Sequence, residues 1–321
     1  MNLSVVTTLY YSSPYIIEFY QRISAEAKKI AKDYEIIFVN DGSPDDSLAI
    51  AIALYEQDER VKIIDLSRNF GHHKAMMTGL SYARGELIFL IDSDLEEEPE
   101  ILSLFYEHYK TSNVDVVYGV QKIRKGNLFE RITGALFFKL FNLLSNYPIP
   151  TNLITARLMN QRYVDALVSH KEREMNFAGL AAITGFIQIP LVVTKHSKGK
   201  SSYNLMRKLA IVVNAITSFS NKPLIFIFYL GTLISSISGV AAIYLIIRRV
   251  FLNVLLSGWP SLIVSIWLLG GLTIFCLGLI GIYLAKIFSE IKQRPYTIIR
   301  NVYEHPRTKL NKQQNKQYEP K

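Results

Sequence analysis

The chain has 321 residues, a formal net charge of +9, a hydrophobic content of 50% and one cysteine, Cys276. A single cysteine excludes an intrachain disulfide, and the length suits about two domains. The basic excess admits nucleic acid, anionic lipid or a phosphorylated substrate as partner. No nucleic-acid-binding motif accompanies it, and the basic residues gather beside long apolar runs, where the positive-inside rule places them.

The first residues, MNLSVVTTLYYSS, have no basic region followed by an apolar core, so no signal peptide is expected. Leu3–Leu9 then predicts a strand, being short, apolar and rich in β-branched residues. Pro14–Lys32 has helical spacing and Glu35–Asn40 is a second strand. Asp41-Gly42-Ser43-Pro44 is a turn that leads into a helix over Ser47–Glu59. Val61–Leu66 predicts a third strand, and His73–Ala83 a helix closed by Gly85. Leu87–Ile91 predicts a fourth strand running into Asp92-Ser93-Asp94. Pro99–Thr111 is helical, and Asp115–Gly119 is a fifth strand. Strands alternating with helices predict an α/β domain with a mainly parallel, Rossmann-like sheet.

Leu128–Ser145 and Tyr203–Phe219 are apolar at helical spacing yet carry charge. Both are expected to lie in the membrane interface. Leu224–Ile247 and Ser261–Ala285 contain no charged residue, and each covers the roughly 20 residues a transmembrane helix needs. Lys195, Lys198, Lys200, Arg207, Lys208 and Lys222 precede these runs, and Lys286, Lys292 and Arg294 follow them. The expected topology is a multi-pass protein of the cytoplasmic membrane with both termini cytoplasmic. The expected organisation is a catalytic domain over 1–222, a two-helix hairpin over 223–286 and a cytoplasmic tail over 287–321. The polar end from Lys309 is expected to be disordered. Gly270-Gly271 and Gly278-x-x-Gly281 would let helices approach closely, one route to a homo-oligomer.

In open α/β sheets the ligand lies beyond the carboxyl ends of the strands. Tyr10, Asp41, Arg68-Asn69 and Asp92/Asp94 all fall there. Two carboxylates one residue apart suit Mg²⁺ or Mn²⁺, and such an ion would neutralise a departing diphosphate. Glu96, Glu97, Glu98 and Glu100 deepen the negative charge. Each strand-end acid is also a plausible helix cap, and the acidic run a solvated helix start. His72-His73 has no third ligand nearby, so no metal is expected on it. His196, in a basic loop, is a candidate contact to phosphate.

These pieces, in this order, resemble the family 2 glycosyltransferases of GT-A fold, specifically the polyprenyl-phosphate (dolichol-phosphate mannose synthase-like) sugar transferases. The likeness rests on Val5-Val6 through Tyr10, Asn40-Asp41-Gly42-Ser43, Arg68-Asn69-Phe70-Gly71, Asp92-Ser93-Asp94-Leu95 with Pro99-Glu100, Gly199-Lys200-Ser201, the stretch Ser218–Leu224 and Lys292–Tyr296. It runs along nearly the whole chain to about residue 300. The resemblance implies that Asp41 holds the nucleoside, with Thr8, Tyr10, Arg68, Lys74 and Asp92 also on the donor. It implies metal on Asp92 and Asp94, with Glu96 as a third ligand. It sets Arg124, Arg131, Lys198 and Lys200 against the acceptor phosphate, where the guanidinium fork suits phosphate.

The chain departs from the pattern in its first loop, where Thr8 and Tyr11-Ser12 replace the family's Pro and Asn-Glu. Thr155 replaces an Asp before Arg157-Leu158, and Ser202 replaces a common Lys. The implied reaction is inverting transfer of a sugar from a nucleotide-diphosphate sugar to a membrane polyprenyl phosphate. That acceptor is already ionised, so little base catalysis is needed. Transfer to a hydroxyl of a lipid-linked glycan would need a base, with Asp94, Glu96 and Glu97 as candidates. A non-catalytic membrane scaffold that keeps the fold is the reading from another class.

Overall fold

The computed structural model describes residues 2–121, 152–173, 175–196, 217, 222–252 and 258–305. They fall into two compact units. One takes in the residues before 203 together with those from Arg294 onward, and the other holds the two long apolar helices.

The first unit is built on eight strands: β1 (Leu3–Leu9), β2 (Tyr34–Asn40), β3 (Val61–Leu66), β4 (Leu87–Leu90), β5 (Val116–Gln121), β6 (Leu153–Asn160), β7 (Gln188–Val193) and β8 (Ile299–Tyr303). They form one sheet in the order β7-β5-β6-β4-β1-β2-β3-β8. The pairs β1–β2, β1–β4, β2–β3 and β5–β7 are parallel. The pairs β3–β8, β4–β6 and β5–β6 are antiparallel. This is the GT-A type of α/β fold, with a mainly parallel sheet. β1, β2 and β3 are buried along their whole length, as strands covered by helices on both faces must be. That is why apolar residues occupy both faces of these strands instead of alternating, with Glu35, Lys62 and Asp65 buried among them.

Helices α1 (Ile16–Ile30), α2 (Ser47–Gln57), α3 (His72–Tyr82), α4 (Ile101–Thr111), α5 (Gln161–Val168) and α6 (Phe177–Ile183) complete the unit. α1 buries Ile16, Phe19, Ile23 and Ala27, the spacing of a single helical stripe. Phe19 meets Phe38 of β2 edge to face at 6.3 Å, and Phe105 of α4 meets Phe89 of β4 at 6.0 Å. From β1 the chain builds outward through β2 and β3, then returns to set β4 on the opposite side of β1. The carboxyl ends of β1 and β4 therefore flank the topological switch point, where such sheets open a crevice.

The expected tail over 287–321 needs correction. Within it, β8 closes the sheet beside β3. The sequence reading missed β8 because a five-residue strand with two charged or polar neighbours carries almost no periodic signal.

The second unit holds α7 (Lys222–Leu252) and α8 (Trp259–Ile291). Among the described residues one stretch, Ser265–Ile291, is long and apolar enough to cross a membrane; Lys222–Ser238 is apolar over a shorter length. The two helices expected to lie in the interface fall, apart from Thr217, outside the described residues.

Candidate active site

Three loops meet at the carboxyl ends of β1, β2 and β4. The loop after β1 is held by side chains: Ser12 Oγ accepts from the Tyr10 amide at 3.1 Å and Ser43 Oγ from that of Tyr11 at 2.8 Å. Ser47 Oγ and Asp45 Oδ2 take the amides of Ser12 and Ser13 at 3.0 and 3.1 Å. These bonds hold Tyr11 at φ 54, a left-handed conformation that costs a non-glycine residue about 1 kcal/mol or more. They leave the Tyr10 and Tyr11 rings exposed and packed edge to face at 4.9 Å.

After β2, Asp41 is buried and accepts from the amides of Phe70 at 2.7 Å and Gly71 at 3.0 Å. Burial raises its pKa, and those two amides oppose the rise. Asp41 therefore ties the second loop to the loop after β3. Gly42 makes this possible: it has φ +59, and a Cβ on it would stand 2.4 Å from the Arg68 carbonyl carbon. Arg68 itself is exposed, its guanidinium 4.1 Å from the Phe70 ring centre. Lys74 lies half-buried on the first turn of α3.

After β4, Ser93 turns into the protein and donates to the Thr8 carbonyl at 2.9 Å. Its neighbours are the two expected carboxylates. Asp92 Oδ2 accepts from Thr155 Oγ1 at 2.7 Å, and its Oδ1 lies 3.3 Å from His72 Nε2. The other ring nitrogen of His72 is 3.0 Å from Thr8 Oγ1. Burial would raise the Asp92 pKa, but the His72 and Thr155 contacts and the charge of Lys195 hold it below the usual range. Asp94 moves the other way, raised by burial and by the charges of Asp92 and Glu96.

Glu97 is almost fully buried, and its carboxylate takes the amides of Thr155 at 3.0 Å and Ala156 at 2.9 Å. Burial and the Asp92 charge push it up to about 7. The same carboxylate latches the acidic loop to β6. Glu96 pairs with Lys195 at 3.3 Å, and Lys195 is 3.5 Å from Glu97. Its ammonium is stabilised by four surrounding carboxylates against the cost of burial. His196, expected near phosphate, instead contacts Glu98 at 2.7 Å.

The structure therefore gathers Thr8, Asp92, Asp94, Glu96 and Glu97 around one strand end, and Tyr10, Asp41 and Arg68 on the adjoining loops. Arg124, Arg131, Lys198 and Lys200 lie outside the described residues. Sequence reasoning missed three participants. His72 was weighed only as a metal ligand. Thr155 was noted only as a missing acid. Lys195 was counted only as membrane-flanking charge, and an isolated β-bridge from Lys195 to Glu97 brings it in.

Residues 4–168 match the model of Glycosyl transferase family 2. Over 303 residues the chain is 55% identical to a Mycobacterium tuberculosis protein named as a glycosyltransferase, covering 94% of this chain and 89% of that one. The chain belongs to glycosyltransferase family 2. A Bacillus subtilis glycosyltransferase of the family is 35% identical over 306 residues, covering 94% of each chain. The bactoprenol glucosyl transferase of Shigella phage SfV is 31% identical over 305 residues, covering 94% of this chain and 99% of that one.

In this family 2 glycosyltransferase the fit of a divalent cation can be judged from the donor set. Among the described residues no group of three or more His, Cys, Asp or Glu side chains is arranged around a common point. The expected trio of Asp92, Asp94 and Glu96 is therefore not preassembled, because Glu96 is turned to Lys195. The negative charge still fits a cation: Asp94 is raised by burial and, beyond that, by the charges of Asp92 and Glu96, which a cation would oppose. Mg²⁺ and Mn²⁺ commonly take one or two carboxylates and complete their shell with substrate phosphate and water. Asp92 and Asp94 suit that arrangement.

Thr155→Val should leave the fold intact and remove the hydroxyl that orients Asp92. Outer-shell partners of this kind are worth about 10- to 100-fold in affinity or activity. Steady-state transfer rates across a Mn²⁺ titration will show whether the loss lies in cation dependence, as expected.

Proposed function

We propose that the chain is an inverting glycosyltransferase that moves a sugar from a nucleotide-diphosphate sugar to a membrane polyprenyl phosphate. The observation that carries the acceptor class is the state of Glu97. Of the three candidate bases, Asp94, Glu96 and Glu97, the last spends its carboxylate on the amides of Thr155 and Ala156. Glu96 is paired with Lys195. A phosphate acceptor is ionised near neutral pH and has no proton to lose, so it needs neither. The relatives named bactoprenol glucosyl transferases, which align over nearly their whole length, support the same acceptor.

An acceptor phosphate oxygen attacks the anomeric carbon. The bond from that carbon to the diphosphate breaks, and the nucleoside diphosphate departs with the electron pair. Attack from the opposite face inverts the centre. A divalent cation, when bound by Asp92 and Asp94, would supply Lewis-acid stabilisation of the leaving diphosphate. The chain's own part is to orient. Thr155 and His72 hold the Asp92 carboxylate, Asp41 ties the loop after β2 to the loop after β3, and Tyr10 stands exposed at the mouth.

The membrane reading gains support from parity. β7 precedes the apolar helices and β8 follows them, yet both lie in one sheet. The chain must therefore cross a membrane an even number of times between them. If Ser265–Ile291 crosses, a second crossing is required between β7 and it, and among the described residues α7 is the apolar helix there. With Lys and Arg flanking the pair, the reading is a multi-pass protein with both ends cytoplasmic.

The test is transfer by purified protein in detergent to undecaprenyl phosphate, over a panel of nucleotide sugars, with Mn²⁺ and with chelator. Cation-dependent glycosylation of the lipid phosphate is the expected result. Donor hydrolysis without lipid product would move the acceptor to a glycan hydroxyl, with Asp94 as the base. Neither binding nor turnover would leave a scaffold.

A further inference from the structure

β8 does more than close the sheet edge. Its pairing with β3 breaks register: Asp65 faces Asn301 while Leu66 faces Ile299. Arg300 is therefore the extra residue of a β-bulge, a device that re-aims a side chain. The bulge turns Arg300 onto the end of β3. Its Nη2 donates to the Ser67 carbonyl at 2.7 Å, and its Nη1 lies 3.6 Å from Asp65 Oδ2. Ser67 also donates its amide to the Ile298 carbonyl at 2.9 Å.

Asp65 is buried, and its other oxygen accepts from Asn40 Nδ2 at 2.8 Å. A carboxylate only accepts, so it dictates which way the buried Asn40 amide faces. The amide oxygen of Asn40 is left to take the Ser43 amide at 3.2 Å. Ser43 in turn holds Tyr11 through its hydroxyl. A continuous polar chain thus runs from the returning strand to the turn at Asp41–Ser43 and on to the first loop. Ser67, the other anchor, directly precedes Arg68.

We propose that Arg300 is a positioning residue for the nucleotide of the donor, acting from the returning strand through Asp65 and Asn40 on the Asp41–Ser43 turn. This rests on the proposed function and on the family resemblance, which implies that Asp41 holds the nucleoside of the donor. The alternative is a plain edge stitch. Arg300 is more than half exposed, and an exposed ion pair adds little to stability. A positioning role and a plain stitch therefore lead to different outcomes on removing Arg300.

The experiment uses full-length protein in detergent with Arg300→Ala, Arg300→Lys and, as comparison, Glu304→Ala. Binding of UDP and of GDP, each with Mn²⁺, is measured by titration calorimetry. Donor KM, kcat and thermal midpoint are measured beside it. Arg300→Ala should weaken nucleotide binding and raise donor KM by roughly 2- to 30-fold. Saturated kcat and the thermal midpoint should stay at the wild-type values. Arg300→Lys keeps the charge without the fork and should fall between. Glu304→Ala should show the reverse pattern, a lower midpoint with an unchanged donor KM. Equal nucleotide binding in wild type and both Arg300 variants would overturn the proposal and leave the functional reading standing. A wild type that binds neither nucleotide and transfers no sugar would sink that reading and the proposal with it. If Arg300→Ala does not fold, Arg300→Lys decides: a raised donor KM at an unchanged midpoint supports the proposal, and an unchanged KM overturns it.

Discussion

Glu304→Ala is expected to destabilise the sheet-bearing unit by about 3–5 kcal/mol, read from chemical denaturation of the full-length protein. Glu304 follows β8 and is nearly buried. It lies 3.2 Å from Lys62 Nζ and 2.7 Å from Arg84 Nη2. Lys62 is only 3% exposed and has Glu35 as its other acidic neighbour, at 3.9 Å. Two cations and two carboxylates share this pocket, so losing Glu304 leaves net positive charge in a region water barely reaches. Burial already pulls the Lys62 pKa down, and shedding its proton would soften the loss only in part. Lys62→Met combined with Glu304→Leu removes one charge of each sign and should recover most of the stability. A loss below about 1 kcal/mol for the single variant, the range of exposed pairs, would show that the cluster is wetter than its burial suggests.

The second large effect is on chemistry. Asp92→Asn should lower kcat by on the order of 10²–10³-fold with little change in thermal midpoint. Its carboxylate receives Thr155 Oγ1 and sits against His72, and an amide oxygen can keep one of these contacts while the charge is lost. The site would then lack the ionised group that the surrounding contacts maintain. Asp94→Asn should also abolish cation dependence, because Asp94 is a half-buried acid one residue from Asp92, and its pKa is raised by burial and by the charges of Asp92 and Glu96. Each variant is read by transfer rate against Mn²⁺ concentration. Wild-type rates in Asp92→Asn would remove this strand end from the reaction.

Much of this was legible in the chain. The central parallel strands announce themselves because burial on both faces demands unbroken β-branched runs such as LSVVTTL. Asp41 and Asp92/Asp94 were found because they end such runs, and in a parallel sheet every strand end points to the same crevice. β6 was not legible, because polar and charged residues interrupt LITARLMN, and Thr155 among them serves Asp92.

The sequence by itself determined the fold class, the family and the acidic strand end, because these follow from local pattern and from motifs of short span. Only the tertiary structure decided what each acid does. Glu97 became a latch because Thr155 and Ala156, 58 and 59 residues away, offer their amides to it. His72 joined the site because α3 begins beside Asp92. The return of β8 to the sheet sets Glu304 against Lys62 and Arg84, far upstream in the chain. Such pairings depend on distance in space, and spacing along a single chain does not encode them.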